Sequence, residues 1–184
     1  MKKSKLEAAQ TRRRIVKTAA AEFRRKGINN TGLNEVMAAA GLTRGGFYRH
    51  FASKEQLVAE ACAAAMDAVG APGPGKTGME AILTEYLSKD HRDNLSEGCV
   101  LAGLGSELAR SDGKTRAAAT AGFLKLVDIF AQRHRRTDNE TARGRALVAV
   151  SAMVGAITMS RIVTDPKLSA RILRQTRKHL AHTW

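Results

Sequence analysis

The chain has 184 residues, 43% of them hydrophobic but only 4% aromatic, and carries 31 Lys/Arg against 17 Asp/Glu for a net charge of +14. That length suits one compact domain, or a small module fused to a larger one, with a real core. Two cysteines, Cys62 and Cys99, exclude a disulfide framework, and no Cys/His spacing offers a metal site.

The charge is unevenly placed. Residues 1–54 hold 13 Lys/Arg against Glu7, Glu22 and Glu35, whereas the remainder is close to balanced. A basic field confined to one end points to a polyanionic partner there. The N-terminus is charged rather than apolar, so it does not read as a secretory signal. The longest apolar run, 146–159, falls short of the roughly 20 residues that span a bilayer. A cytoplasmic, soluble protein without membrane contact is expected.

Strand-favouring runs are nearly absent and Ala-rich stretches dominate, which makes the fold class all-α. Ile15, Ala19 and Phe23 recur every four positions and predict a helix over 8–26, closed by Gly27. Thr31 is placed to cap a short second helix with Leu33, Val36 and Met37 inward, ending at Gly41. Thr43 then caps a third through His50, and "SKEQ" at 53–56 is a capping box that opens a fourth, to about 69. Longer helices follow at 77–89, 98–110, 114–135, 138–163 and 166–182. Thr137 with Glu140 makes another capping box, and Asp165 before Pro166 marks the start of the last helix.

The segment "LTRGGFYRHF", 42–51, sets two glycines where the pattern calls for a helix, although each costs a helix interior about 1 kcal/mol. On a helical wheel Phe47 and Phe51 face a core, opposite Arg44, Gly45, Tyr48 and Arg49, with Gly46 and His50 at the margin. Glycines on that face let a recognition helix sink into a major groove about 12 Å wide. The alternative is a strained turn with Phe47 merely packed. Short helices joined by tight Gly-containing turns have the outline of a helix-turn-helix module.

Residues 31–58, "TGLNEVMAAAGLTRGGFYRHFASKEQLV", together with the preceding Phe23 and Gly27, resemble the DNA-binding segment of the tetracycline-repressor (TetR) family. The resemblance implies an N-terminal three-helix DNA-binding domain over 1–55 and a larger helical effector-binding and dimerisation domain over 56–184. It also implies a homodimer on a palindromic double-stranded DNA operator, usually a repressor, released by a small-molecule effector. Carried over by position, Thr43, Arg44, Gly45, Gly46, Tyr48, Arg49 and His50 would face DNA and Lys54 a phosphate, with Thr31 and Asn34 at the start of the supporting helix. Many members have Ser or Thr where Gly46 stands, so one contact is missing here.

A rival lies in "GAPGPGKT", 70–77, which matches the phosphate-binding G-x-x-x-x-G-K-[ST] pattern of nucleotide hydrolases. An Ala-rich helix rather than a strand precedes it, and Pro72 and Pro74 each remove an N–H, so a linker accounts for it better. The histidines, His134 in "QRHRR" among them, are scattered, and no catalytic constellation or cofactor motif is visible. Around "EGCVLAGLGSELARSD", 97–112, the glycines thin a helix and suggest space for a ligand near Tyr86, Cys99, Leu104, Glu107, Phe123 and Val127. Ser96 as a cap would place Cys99 in a first helical turn, where the dipole favours a thiolate sensor; the alternative is a small packed residue. Leu147, Val150, Val154, Ile157 and Arg161, with Leu168 and Ile172, are expected at an interface between two copies; the alternative is that both helices are internal core.

Overall fold

The computed structural model describes residues 5–68, 78–133 and 138–183. The P-loop-like stretch 70–77, His134 and the proposed Thr137 cap lie outside them. Among the described residues the chain forms nine α-helices and one 3-10 helix, with no strand.

The helix α1 (Lys5–Lys26) buries Thr11, Ile15, Ala19 and Phe23 along one stripe, as the four-residue spacing requires. It stops at Gly27, whose φ of +90° is a left-handed conformation that favours glycine. The short α2 (Leu33–Ala39) ends at Gly41 in the same way, with φ +68°. The segment Arg44–Arg49 is a 3-10 helix, not the expected α-helix. Two glycines within six residues leave too little propensity for an α-helical nucleus.

The helix α3 (Lys54–Ala68) starts as its sequence suggests. Ser53 Oγ accepts the Gln56 N–H at 3.2 Å, and Gln56 reaches back to the Ala52 N–H at 2.7 Å. The helix expected over 77–89 is α4 (Met79–Tyr86), and a further short helix that the pattern did not suggest, α5 (Lys89–Asp93), follows it, capped by Ser88 Oγ on the His91 N–H. Then come α6 (Val100–Ala109), α7 (Gly113–Ala131), α8 (Asn139–Ile162) and α9 (Pro166–Thr183). Asp112 and Asp138 cap α7 and α8, and Asp165 accepts the Lys167 N–H at 2.8 Å.

The helix α3 joins the two halves, since it packs against both α1 and α7. At the α7 crossing a Cβ on Gly122 would stand 2.4 Å from Met66 Cβ, so only glycine permits this approach. Phe23, Phe47, Phe51, Leu57 and Met66 fill the core on this side, and Val127, Phe130, Val150 and Ile157 continue it through α7 and α8. Each such side chain contributes about 1.5–3 kcal/mol on burial.

Candidate nucleic-acid interface

The 3-10 segment is anchored from beneath. Phe47 and Phe51 are fully buried and stack with centroids 5.4 Å apart. Arg12 of α1 lies over the Phe51 ring at 4.2 Å, donates to the His50 carbonyl and pairs with Glu60 of α3. This clamp was not visible in the sequence, where Arg12 is one of three consecutive arginines. It holds the end of the segment against α1 and α3.

Above that base the opposite face is bare. Thr43, Arg44, Gly45 and Arg49 are exposed, and Tyr48 is 66% exposed with its ring edge-on to Phe47 at 5.2 Å. Asn34 is exposed on the adjacent α2. A Cβ on Gly45 would meet nothing within 4 Å, and one on Gly46 would make an ordinary 3.7 Å contact with Met37. Both glycines also have negative φ. The fold of the free chain therefore does not demand glycine at either position.

Three expected contacts are corrected. Thr31 is wholly buried, and its hydroxyl donates to the Gly27 carbonyl at 2.7 Å, fastening the α1–α2 turn. It does not cap α2; Gly32 does, with its N–H donating to Glu35 Oε2 at 2.9 Å. That bond, with Lys26 beside it, holds the Glu35 carboxyl below its ordinary pKa. Lys54 turns inward and donates to the Ile28 carbonyl at 2.7 Å. Thr43 stands at the N-cap of the 3-10 helix, but its side chain makes no capping bond.

Among the described residues, the six expected around a ligand fall in different settings. Leu104 borders a cavity of about 10 Å³ with Phe23, Ile28, Cys62, Val100 and Leu108. Val127 is wholly buried and Phe123 half-buried along α7. Glu107 instead accepts the Asn29 N–H at 2.9 Å, tying α6 to the α1–α2 turn. Tyr86 and Cys99 do come together. Cys99, expected in the first turn after a Ser96 cap, is itself the N-cap of α6 and is 2% exposed, which contradicts an accessible thiol. Its N–H donates to His91 Nε2 at 2.9 Å, so the His91 proton sits on Nδ1, 2.6 Å from the Tyr86 carbonyl. Burial lowers the His91 pKa. Burial also pushes the Cys62 thiol up to about 11.

Residues 15–61 match the model for bacterial regulatory proteins of the tetR family, and residues 76–178 match the C-terminal domain of LmrA/YxaF-like transcriptional regulators. The chain belongs to the TetR family. An uncharacterised HTH-type transcriptional regulator of Mycobacterium tuberculosis is 28% identical over 181 residues, covering 92% of this chain and 93% of that protein. A TetR transcriptional regulator from Chloroflexus aurantiacus has a crystal structure that superimposes with TM-score 0.74 at 29% identity, covering 96% of this chain and 94% of that one. A probable acrEF/envCD operon repressor of Escherichia coli is 44% identical, but only over 59 residues, 32% of this chain and 27% of that protein.

The residues expected at a TetR-family dimer interface divide. Val150 and Ile157 are buried inside the single chain, and Val154 and Ile172 are partly buried against the same core. Arg161 points inward, its Nε and Nη2 donating to the carbonyls of Arg92 and His91 at 2.9 and 3.0 Å. Leu147 and Leu168 remain about 40% exposed. The bare side of α8 is a different one: Gly144, Val148, Ser151, Gly155, Met159 and Ile162, at alternating helical spacings.

Proposed function

We propose that this chain is a cytoplasmic homodimeric repressor that binds a palindromic DNA operator and releases it when a small molecule occupies the C-terminal domain. The observation that carries the DNA reading is the glycine pair. Its backbone is uncrowded by the rest of the chain and flanked by exposed Arg44, Tyr48 and Arg49 on a rigid aromatic base. A surface without side chains, within a basic half, suits close approach of the backbone to a groove and its phosphates.

One such segment makes few base contacts, and a two-fold dimer doubles them with half-sites about 34 Å apart. The bare side of α8 supports the dimer. Val148 and Ile162 are more than 60% exposed, and Gly144 and Gly155 would tolerate a Cβ within the chain, so close approach of a second copy accounts for both features. By length and composition α8 could cross a membrane, yet its other sides pack on α7 and α9, as in the core helix of a globular fold. Glu107 on the Asn29 amide gives the C-terminal domain a direct hold on the DNA-binding half.

Selection of bound sequences from random DNA by the full-length protein tests this reading. The expected product is a pseudo-palindrome whose affinity falls linearly with the logarithm of salt. Recovery of no enriched motif would overturn it.

A further inference from the structure

The C-terminal half is close to balanced as a whole, but its last helix is not. The helix α9 carries Lys167, Arg171, Arg174, Arg177 and Lys178 and no Asp or Glu. At about 100° per residue, Lys167, Arg171, Arg174 and Lys178 fall within about 60° of one another. All four are exposed, and none has an ion-pair partner among the described residues. On the opposite side Leu173 and Leu180 are buried, and the Ser169 hydroxyl donates to the Ser160 carbonyl at 2.6 Å. One side of α9 is thus fastened to α8, and the other is a row of cations.

Like charges three and four residues apart destabilise a helix, so the fold has no use for the row. A second copy does not suit it, because a two-fold contact must be self-complementary and an all-positive row is not. Leu168 and Ile172, the α9 residues first expected at an interface, lie about 110° round the helix from the middle of the row. A bilayer does not suit it either. A membrane-surface helix inserts its apolar side, and Leu173 and Leu180 are committed to the core.

A polyanion held through charge alone does fit. From Lys167 to Lys178 the row runs about 16 Å, a length over which one strand of a duplex presents about five phosphates. We propose that the outer side of α9 is a second DNA contact, independent of sequence, that holds the phosphate backbone of a duplex other than the one bound by the N-terminal half. The segment Arg44–Arg49 packs chiefly on α2, and α9 on α8 and α4, so the two surfaces rest on different helices. Point charges without a partner that reads bases position a duplex and carry no sequence preference. The proposal rests on the DNA binding of the family and not on the operator-release reading. It makes each chain a bridge between two stretches of DNA.

The test is capture of a second duplex by the full-length protein. A random-sequence duplex is immobilised and saturated with protein, a labelled duplex of unrelated sequence is added, and retained label is read per bound protein. The parent is expected to retain it, with log affinity falling against log salt at a slope of about −3.6 for four phosphate contacts. The triple variant Arg171→Gln, Arg174→Gln, Lys178→Gln should bind the immobilised duplex and unfold like the parent, yet lose capture at least about tenfold. Arg171→Lys with Arg174→Lys keeps the charge and should keep capture. Removal of three exposed charges elsewhere, by Arg110→Gln, Lys114→Gln and Arg116→Gln, should keep it too. A parent that retains no label, a triple variant that captures like the parent, or equal loss in the Arg110, Lys114 and Arg116 variant overturns the proposal. So does a row that holds phosphatidylserine vesicles or polyglutamate but not the second duplex. Binding of the triple variant to the first duplex tests the N-terminal DNA contact separately.

Discussion

A methyl group added at Gly122 would stand 2.4 Å from Met66 Cβ, and one added at Gly98 would stand 2.8 Å from the Asn94 carbonyl. The same addition at Gly45 meets empty space, and at Gly46 an ordinary contact. At these two positions of the C-terminal half, then, glycine answers to neighbours within the chain: a helix crossing at Gly122, an arginine passing beneath the loop at Gly98. In the recognition segment no internal neighbour explains it. A glycine that the fold does not require, on a helical segment that it weakens, points to a partner outside the chain. The bare Gly155 on α8 belongs with the glycine pair by this criterion, and in the proposed function its partner is a second copy.

The sharpest way to break this contrast is Gly122→Ala. Crowding Met66 in a packed crossing costs about 1–3 kcal/mol, read as a lower midpoint in urea. A midpoint equal to the parent's would mean that α3 and α7 adjust freely and that the glycine is not dictated from within. Next in size, Arg44→Ala and Tyr48→Ala should each weaken operator binding by about 1–3 kcal/mol without moving Tm. Val148→Asp, on the bare side of α8, should shift sedimentation toward monomer while Leu147→Asp, at a position first expected in the interface, shifts it less. If Leu147→Asp is the more disruptive, the interface has been assigned to the wrong side of the helix.

A smaller effect concerns the start of α6. His91 must stay neutral to accept the Cys99 N–H, and burial lowers its folded pKa below the usual value near 6.5. A depressed pKa contributes stability that is present above the unfolded value and lost as pH falls through the folded one. Unfolding midpoints should therefore drop below about pH 6.5 more steeply in the parent than in His91→Gln. Parallel pH profiles would show that this bond contributes nothing.

Much of the architecture was legible because its signals are local. Gly27, Gly41, Ser53 and Asp165 mark helix ends through backbone conformation or a side-chain cap, and the structure keeps all four. The two sides of the segment 44–51 were legible, with Phe47 and Phe51 buried opposite exposed Arg44 and Tyr48, although the segment is a 3-10 helix. Inward turns of long or polar side chains were not. Thr31 and Lys54 are polar residues at positions that suit DNA, and only the path of the α1–α2 turn brings the carbonyls of Gly27 and Ile28 within their reach. On α8 the failure has a different cause. The helix is apolar on two sides, Val150, Met153 and Ile157 inward against Val148, Met159 and Ile162 outward, so periodicity alone cannot say which meets a partner. The start of α6 falls three residues later than a Ser96 cap implies, which makes Cys99 an enclosed N-cap rather than a first-turn residue.

The most direct test of the claim that Gly45 and Gly46 serve an external surface is a paired measurement on Gly45→Leu: unfolding midpoint of the free protein and affinity for its selected operator. The open space at this position predicts a midpoint equal to or above the parent's, because leucine has the better helical propensity, with operator affinity reduced at least about tenfold by a side chain held against the groove. Parent-like affinity, or a free protein that loses stability, would contradict the account.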